Sequence, residues 1–107
     1  MFYLVQSDVG TQIKATITRE DDGTAVDFSD ATVRLKFRKK GSTTTLFTLT
    51  SVAVGDDLSE GVAIFAFGSG DLDLDPGYYE GEIEATFTGG NIESVYEVLE
   101  FFVREDF

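Results

Sequence analysis

Asp71, Asp73 and Asp75 alternate with leucines in Gly70-Asp71-Leu72-Asp73-Leu74-Asp75-Pro76-Gly77, and Glu82 stands eleven residues after Asp71. Alternating oxygen ligands closed by a glutamate are the pattern of an EF-hand calcium loop. That loop also needs glycine at its sixth position, where this chain has Pro76, and a helix on each side. The flanks carry no helical pattern, so the segment reads as a solvated turn and no metal is expected. Glu80, Glu82 and Glu84 are a second carboxylate set, and paired carboxylates can act as acid and base. A spacing of two places all three on one face of a strand rather than around a cleft. Ser29, Ser51 and Ser69 have no histidine to activate them, because the chain contains none, and no Ser-x-x-Lys pair occurs. Gly68-Ser69-Gly70 runs into acidic residues, with no lysine or helix to make a phosphate cradle. The expectation is a protein without catalytic residues or a cofactor.

Composition points the same way. The chain has 107 residues, no Cys and no His, which removes disulfides, thiolate nucleophiles, the commonest metal ligand and the usual general base. Hydrophobic residues make up 42% of it, enough for a real core in one domain spanning 1–107. The formal net charge is −12. Such a field repels nucleic acid phosphates and anionic lipid, so neither nucleic acid nor membrane is an expected partner. Lys36 and Arg38 beside Phe37 do not alter this, since Phe37 falls on the buried parity. No stretch reaches the roughly 20 apolar residues of a membrane span. Met1-Phe2-Tyr3-Leu4-Val5-Gln6 lacks the basic region and long apolar run of a signal peptide, so synthesis in a cytoplasm is expected.

The elements that would carry these residues follow a period of two. Ile13, Ala15 and Ile17 alternate with polar residues, as do Val33, Leu35 and Phe37, and both runs predict half-buried strands. Further strands are predicted over Thr44 to Thr50, Val62 to Phe67, Tyr79 to Phe87 and Ile92 to Arg104. Lys40-Gly41-Ser42 and Thr88-Gly89-Gly90-Asn91 are hairpin-type connections, and Asp56 to Gly61 is a longer loop. No window shows a helical stripe. Six or seven strands without intervening helices predict an antiparallel sandwich.

Charge divides along the chain. Met1 to Gly55 carries seven bases and six acids, whereas Asp56 to Phe107 carries fourteen acids and one base, Arg104. Five of the bases lie within Arg34-Leu35-Lys36-Phe37-Arg38-Lys39-Lys40. Either Arg34, Lys36 and Arg38 face Glu80, Glu82 and Glu84 on a neighbouring strand, or they form a strip for an acidic partner.

Asp75-Pro76-Gly77-Tyr78-Tyr79-Glu80-Gly81 resembles the D-x-G-x-Y-x-C run of strand F in immunoglobulin-type domains, with Gly81 at the cysteine position. The resemblance implies an immunoglobulin-like β-sandwich of about seven strands. It casts Asp75, Gly77 and Tyr79 as a tyrosine corner whose hydroxyl bonds upstream backbone. It does not extend to the antibody disulfide. A wider series covers most of the chain: Asp8-Val9-Gly10-Thr11, Ile13 to Thr18, Asp22-Gly23, Val26 to Val33, Leu35-Lys36-Phe37, Asp75 to Gly81, and Phe101 to Asp106. Taken in order, it is similar to the immunoglobulin-like N-terminal domain of phage baseplate upper proteins. This implies a structural protein of a phage virion, docked in the tail or baseplate against other virion proteins. A second hypothesis is a free-standing binding module for carbohydrate or a host protein. The exposed aromatic candidates for a sugar platform, Tyr3, Tyr78 and Tyr96, are scattered along the sequence. Phe2, Tyr3, Leu4 and Val5 are apolar on both parities, unusual for an edge strand open to water, and form a candidate contact segment.

Overall fold

The computed structural model describes residues 1–19, 21–89 and 92–105, and the side chains of 92–97 lie outside the description. Among the described residues, seven strands and one short helix follow in the order β1 (Phe2–Val5), β2 (Gln12–Thr16), β3 (Ala31–Lys39), β4 (Thr45–Thr50), α1 (Asp56–Ser59), β5 (Val62–Ala66), β6 (Gly77–Phe87) and β7 (Ile92–Arg104). They form a five-stranded sheet, β1-β7-β6-β3-β4, and a two-stranded sheet, β2-β5. The expectation of an all-β chain agrees with this arrangement.

The expectation of purely antiparallel pairing does not. β1 runs parallel to β7, with Phe2 opposite Phe101 and Val5 opposite Arg104, while the other strand pairs among the described residues are antiparallel. Alternation along a strand sets which face is buried but not the direction of its neighbour. β1 and β7 lie at opposite ends of the sequence, so no hairpin turn dictates their orientation. The segment Asp56 to Gly61, expected as a loop, contains the single turn of α1, too short to leave a hydrophobic stripe.

Burial follows the period of two. On β3, Val33, Leu35 and Phe37 are buried, and the residues between them are half-buried on the other face. On β6 the buried positions are Tyr79, Gly81, Ile83 and Ala85. The core joins these to Ile13, Ala15, Ala63 and Phe65 of the smaller sheet, so the two sheets pack through their inner faces. Phe37 stands at its centre, fully buried, stacked on Phe47 at 4.8 Å and on Tyr79 at 5.4 Å, with the edge of Phe67 at 5.8 Å.

The chain changes sheets directly after β4. The Ser51 N–H donates to the Val33 carbonyl of β3, and the next N–H, of Val52, donates to Ile64 of β5, both at 2.8 Å. The Ser51 hydroxyl accepts the Ile64 N–H at 3.0 Å. One serine thereby satisfies backbone groups on both sides of the crossing. The connection from β6 to β7 includes Gly90 and Asn91, which lie outside the described residues.

Candidate functional site

The candidate contact segment is β1, at one edge of the larger sheet. Alternation divides its four residues between two environments. Leu4 is 2% exposed in the core, and Phe2 is half-buried with its ring stacked on Phe101 at 5.4 Å. Tyr3 points to the outer face and is 74% exposed, and Val5 is half-buried.

Strand register gathers Tyr3 with other aromatics. Tyr3 lies opposite Phe102 on β7, and Phe102 lies opposite Tyr78 on β6. The Tyr3 and Phe102 ring centroids are 6.4 Å apart with planes inclined by 62°, and those of Phe102 and Tyr78 are 4.9 Å apart and inclined by 63°. Tyr78 is 52% exposed, and the Lys40 ammonium lies 5.9 Å from its ring centroid. Lys40 also pairs with Glu100 of β7 at 3.5 Å. Tyr3 and Tyr78, scattered along the sequence, thus belong to one aromatic row on the outer face. The Tyr96 side chain lies outside the described residues. Phe102 was not among the aromatic candidates. Its signal is the alternation of β7, which turns Leu99, Phe101 and Val103 inward and leaves Phe102 outward between Glu100 and Arg104.

Beside this row runs a charged ladder. Arg34, Lys36 and Arg38 of β3 lie opposite Glu84, Glu82 and Glu80 of β6, as the first of the two charge readings expects. The ion pairs are partly diagonal: the Lys36 ammonium is 3.2 Å from Glu84, and Arg38 Nε is 3.6 Å from Glu80. Arg38 also donates a hydrogen bond to Glu82. That bond, more than the nearby charges, raises the Arg38 pKa above its ordinary value. The Glu80 carboxylate accepts the Gly41 N–H as well, at 3.2 Å, tying the β3–β4 connection to β6. These carboxylates are occupied by cations and backbone along a sheet face.

Asp75, Gly77 and Tyr79 meet where the chain enters β6. The Tyr79 hydroxyl donates to the Asp75 carbonyl at 2.7 Å while its ring lies on Phe37. Burial, and secondarily the charge of Asp75, raises the phenol pKa above its ordinary 10.0. Gly77 turns the chain at φ 147°, a conformation side chains rarely adopt. Upstream, the Asp71 carboxylate accepts the Gly68 N–H at 2.7 Å, and Leu72 is fully buried and anchors the loop. Glu82, the distant member of the calcium-like spacing, lies instead in the ladder against Arg38. Among the described residues no group of three or more acidic side chains is arranged to hold a metal ion. No known protein-family model matches this sequence, and no curated protein matches it either.

Proposed function

We propose that this chain is a non-enzymatic structural module of a bacteriophage tail or baseplate, acting through fixed protein–protein contacts. The observation that carries the reading is the ordered series from Asp8 to Asp106, similar to the immunoglobulin-like N-terminal domain of phage baseplate upper proteins. Four structural features support the immunoglobulin-like part of it. The last strand lies between the first and the sixth, the third strand is next to the sixth, and the second pairs with the fifth in a separate sheet. The hydrogen bond from Tyr79 to Asp75 has the form of a tyrosine corner. The carboxylates of Glu80, Glu82 and Glu84 support the non-enzymatic part, because each is paired with a cation of β3. In this reading the partners are other virion proteins, and the protein resides in the particle.

The second reading, a binding module for carbohydrate or a host protein, gains from the juxtaposition of Tyr3, Phe102 and Tyr78. Inclinations of 62° and 63° between neighbouring rings weigh against its carbohydrate form, since a sugar stacks on a flat platform. Mass spectrometry of gradient-purified particles separates the two readings. The structural reading expects the protein in the particles at fixed stoichiometry. Its absence there, with abundance in the infected-cell lysate, overturns that reading in favour of the binding module.

A further inference from the structure

We propose that the Tyr3–Phe102–Tyr78 row is a docking patch for an arginine-bearing surface of a partner protein, an assignment that rests on the docking reading above. Among the described side chains, the row is the part of the larger sheet's outer face where aromatic rings meet solvent. Tyrosine and phenylalanine on a sheet face give rigid contact area at low entropic cost, and aromatic residues and arginine are enriched at interface centres. The choice of arginine comes from charge. The chain carries −12 overall. Glu100, which borders the row, sits in an exposed 3.5 Å pair with Lys40 that an arginine can replace, while Glu80 beside it is held by Arg38 and the Gly41 N–H. A cation already occupies one ring, since Lys40 lies over Tyr78. Arginine can stack its guanidinium on a ring while bonding a neighbouring carboxylate in two places, which lysine cannot. A second copy of the chain is disfavoured by the same charge.

The test uses the full chain and two defined peptides of equal charge, acetyl-Gly-Arg-Gly-Arg-Gly-amide and its lysine counterpart, with maltohexaose as a neutral glycan. Resonances of the backbone amides and aromatic rings are followed by NMR during each titration. The arginine peptide is expected to shift Tyr3, Tyr78 and Phe102, and to bind at least about threefold more tightly than the lysine peptide, as ring stacking at an exposed site allows. The double substitution Tyr3→Ala, Tyr78→Ala is expected to weaken the arginine peptide about tenfold. Tyr3→Phe should retain binding, and thermal unfolding verifies that each variant remains folded. Equal affinity for both peptides, with shifts confined to Glu80, Glu82 and Glu84, overturns the proposal in favour of general electrostatics. Shifts of the three rings with maltohexaose but not with the arginine peptide overturn it in favour of a glycan site. The docking reading fails separately: absence from purified particles removes it even where the rings bind the arginine peptide.

Discussion

The Tyr79 hydroxyl donates to the carbonyl of Asp75, four residues upstream, at 2.7 Å. The ring beneath that hydroxyl is 4% exposed and stacked on Phe37, so one side chain ties the loop into β6 to the centre of the core. Without the hydroxyl, the Asp75 carbonyl loses its bond from Tyr79. Tyr79→Phe is therefore expected to lower unfolding free energy by about 0.5–1.5 kcal/mol, the usual net value of one such bond. Tyr78→Phe, on the exposed outer face, should cost less. Urea denaturation of both variants checks the difference, and equal losses would contradict the geometry.

The same residue makes stability depend on alkaline pH. Burial raises the Tyr79 pKa in the folded chain above its ordinary 10.0, so the unfolded chain releases this proton first. Its contribution is fully present below pH 10.0 and is lost as pH rises from there through the folded pKa. Above about pH 10, wild type should lose stability with rising pH more steeply than Tyr79→Phe, with the variant subtracting the ionisation of the other tyrosines and the lysines. On the acid side, hydrogen bonds from Ser29 to Asp27 and from Thr24 to Asp22 lower both carboxyl pKa values below 3.8. Their contributions are present above that value and are lost as pH falls through the lowered pKa values. Paired urea titrations across both ranges would reveal slopes of the wrong sign.

Much of the architecture was legible because alternation is a local property. The inward set of Val33, Leu35 and Phe37 on β3 and that of Leu99, Phe101 and Val103 on β7 can be read from either segment alone. Pairing of the basic and acidic rows was legible because opposite charges on outward parities favour one register. The direction of β1 was not, since it depends on an alignment between the two ends of the sequence. The aromatic row was hidden for the same reason. Tyr3, Tyr78 and Phe102 become neighbours only through the registers of β1 on β7 and β7 on β6; from the sequence Tyr3 and Tyr78 read as scattered outward aromatics, and Phe102 is not among them. The packing at Gly81 was also out of reach, because the residue that fills its space, Leu35, comes from a different strand.

Within the charged ladder, Arg38 should matter more than Lys36. Arg38 contacts both Glu80 and Glu82, with its side chain 20% exposed, whereas Lys36 contacts Glu84 with its side chain 40% exposed. Exposed pairs contribute only about 0–1 kcal/mol, so both Arg38→Gln and Lys36→Gln should remain folded. The expected order is a larger loss for Arg38→Gln, with the gap narrowing as salt screens the ladder. Thermal unfolding at low and high sodium chloride measures it. A larger loss for Lys36→Gln would show that the double contact of Arg38 brings no advantage.

Gly81 offers the most direct test of the core. It lies on β6 opposite Phe37 of β3 and Leu99 of β7. A methyl group added there would meet Leu35 Cδ1 at 2.6 Å, closer than methyl carbons approach, and Phe101 Cε2 at 3.0 Å, a tight contact. Both neighbours are fully buried, so neither can swing into solvent to make room. Gly81→Ala is accordingly expected to destabilise the protein by about 1–3 kcal/mol through overpacking, despite alanine's lower backbone entropy cost. The clash is with Leu35, so the double variant Gly81→Ala, Leu35→Val should lose less than the sum of its single losses, because valine removes one carbon beside the new methyl. Urea unfolding of the two single variants and the double variant supplies the cycle. Strict additivity, or a stable Gly81→Ala single variant, would mean that Leu35 does not occupy the space beside Gly81.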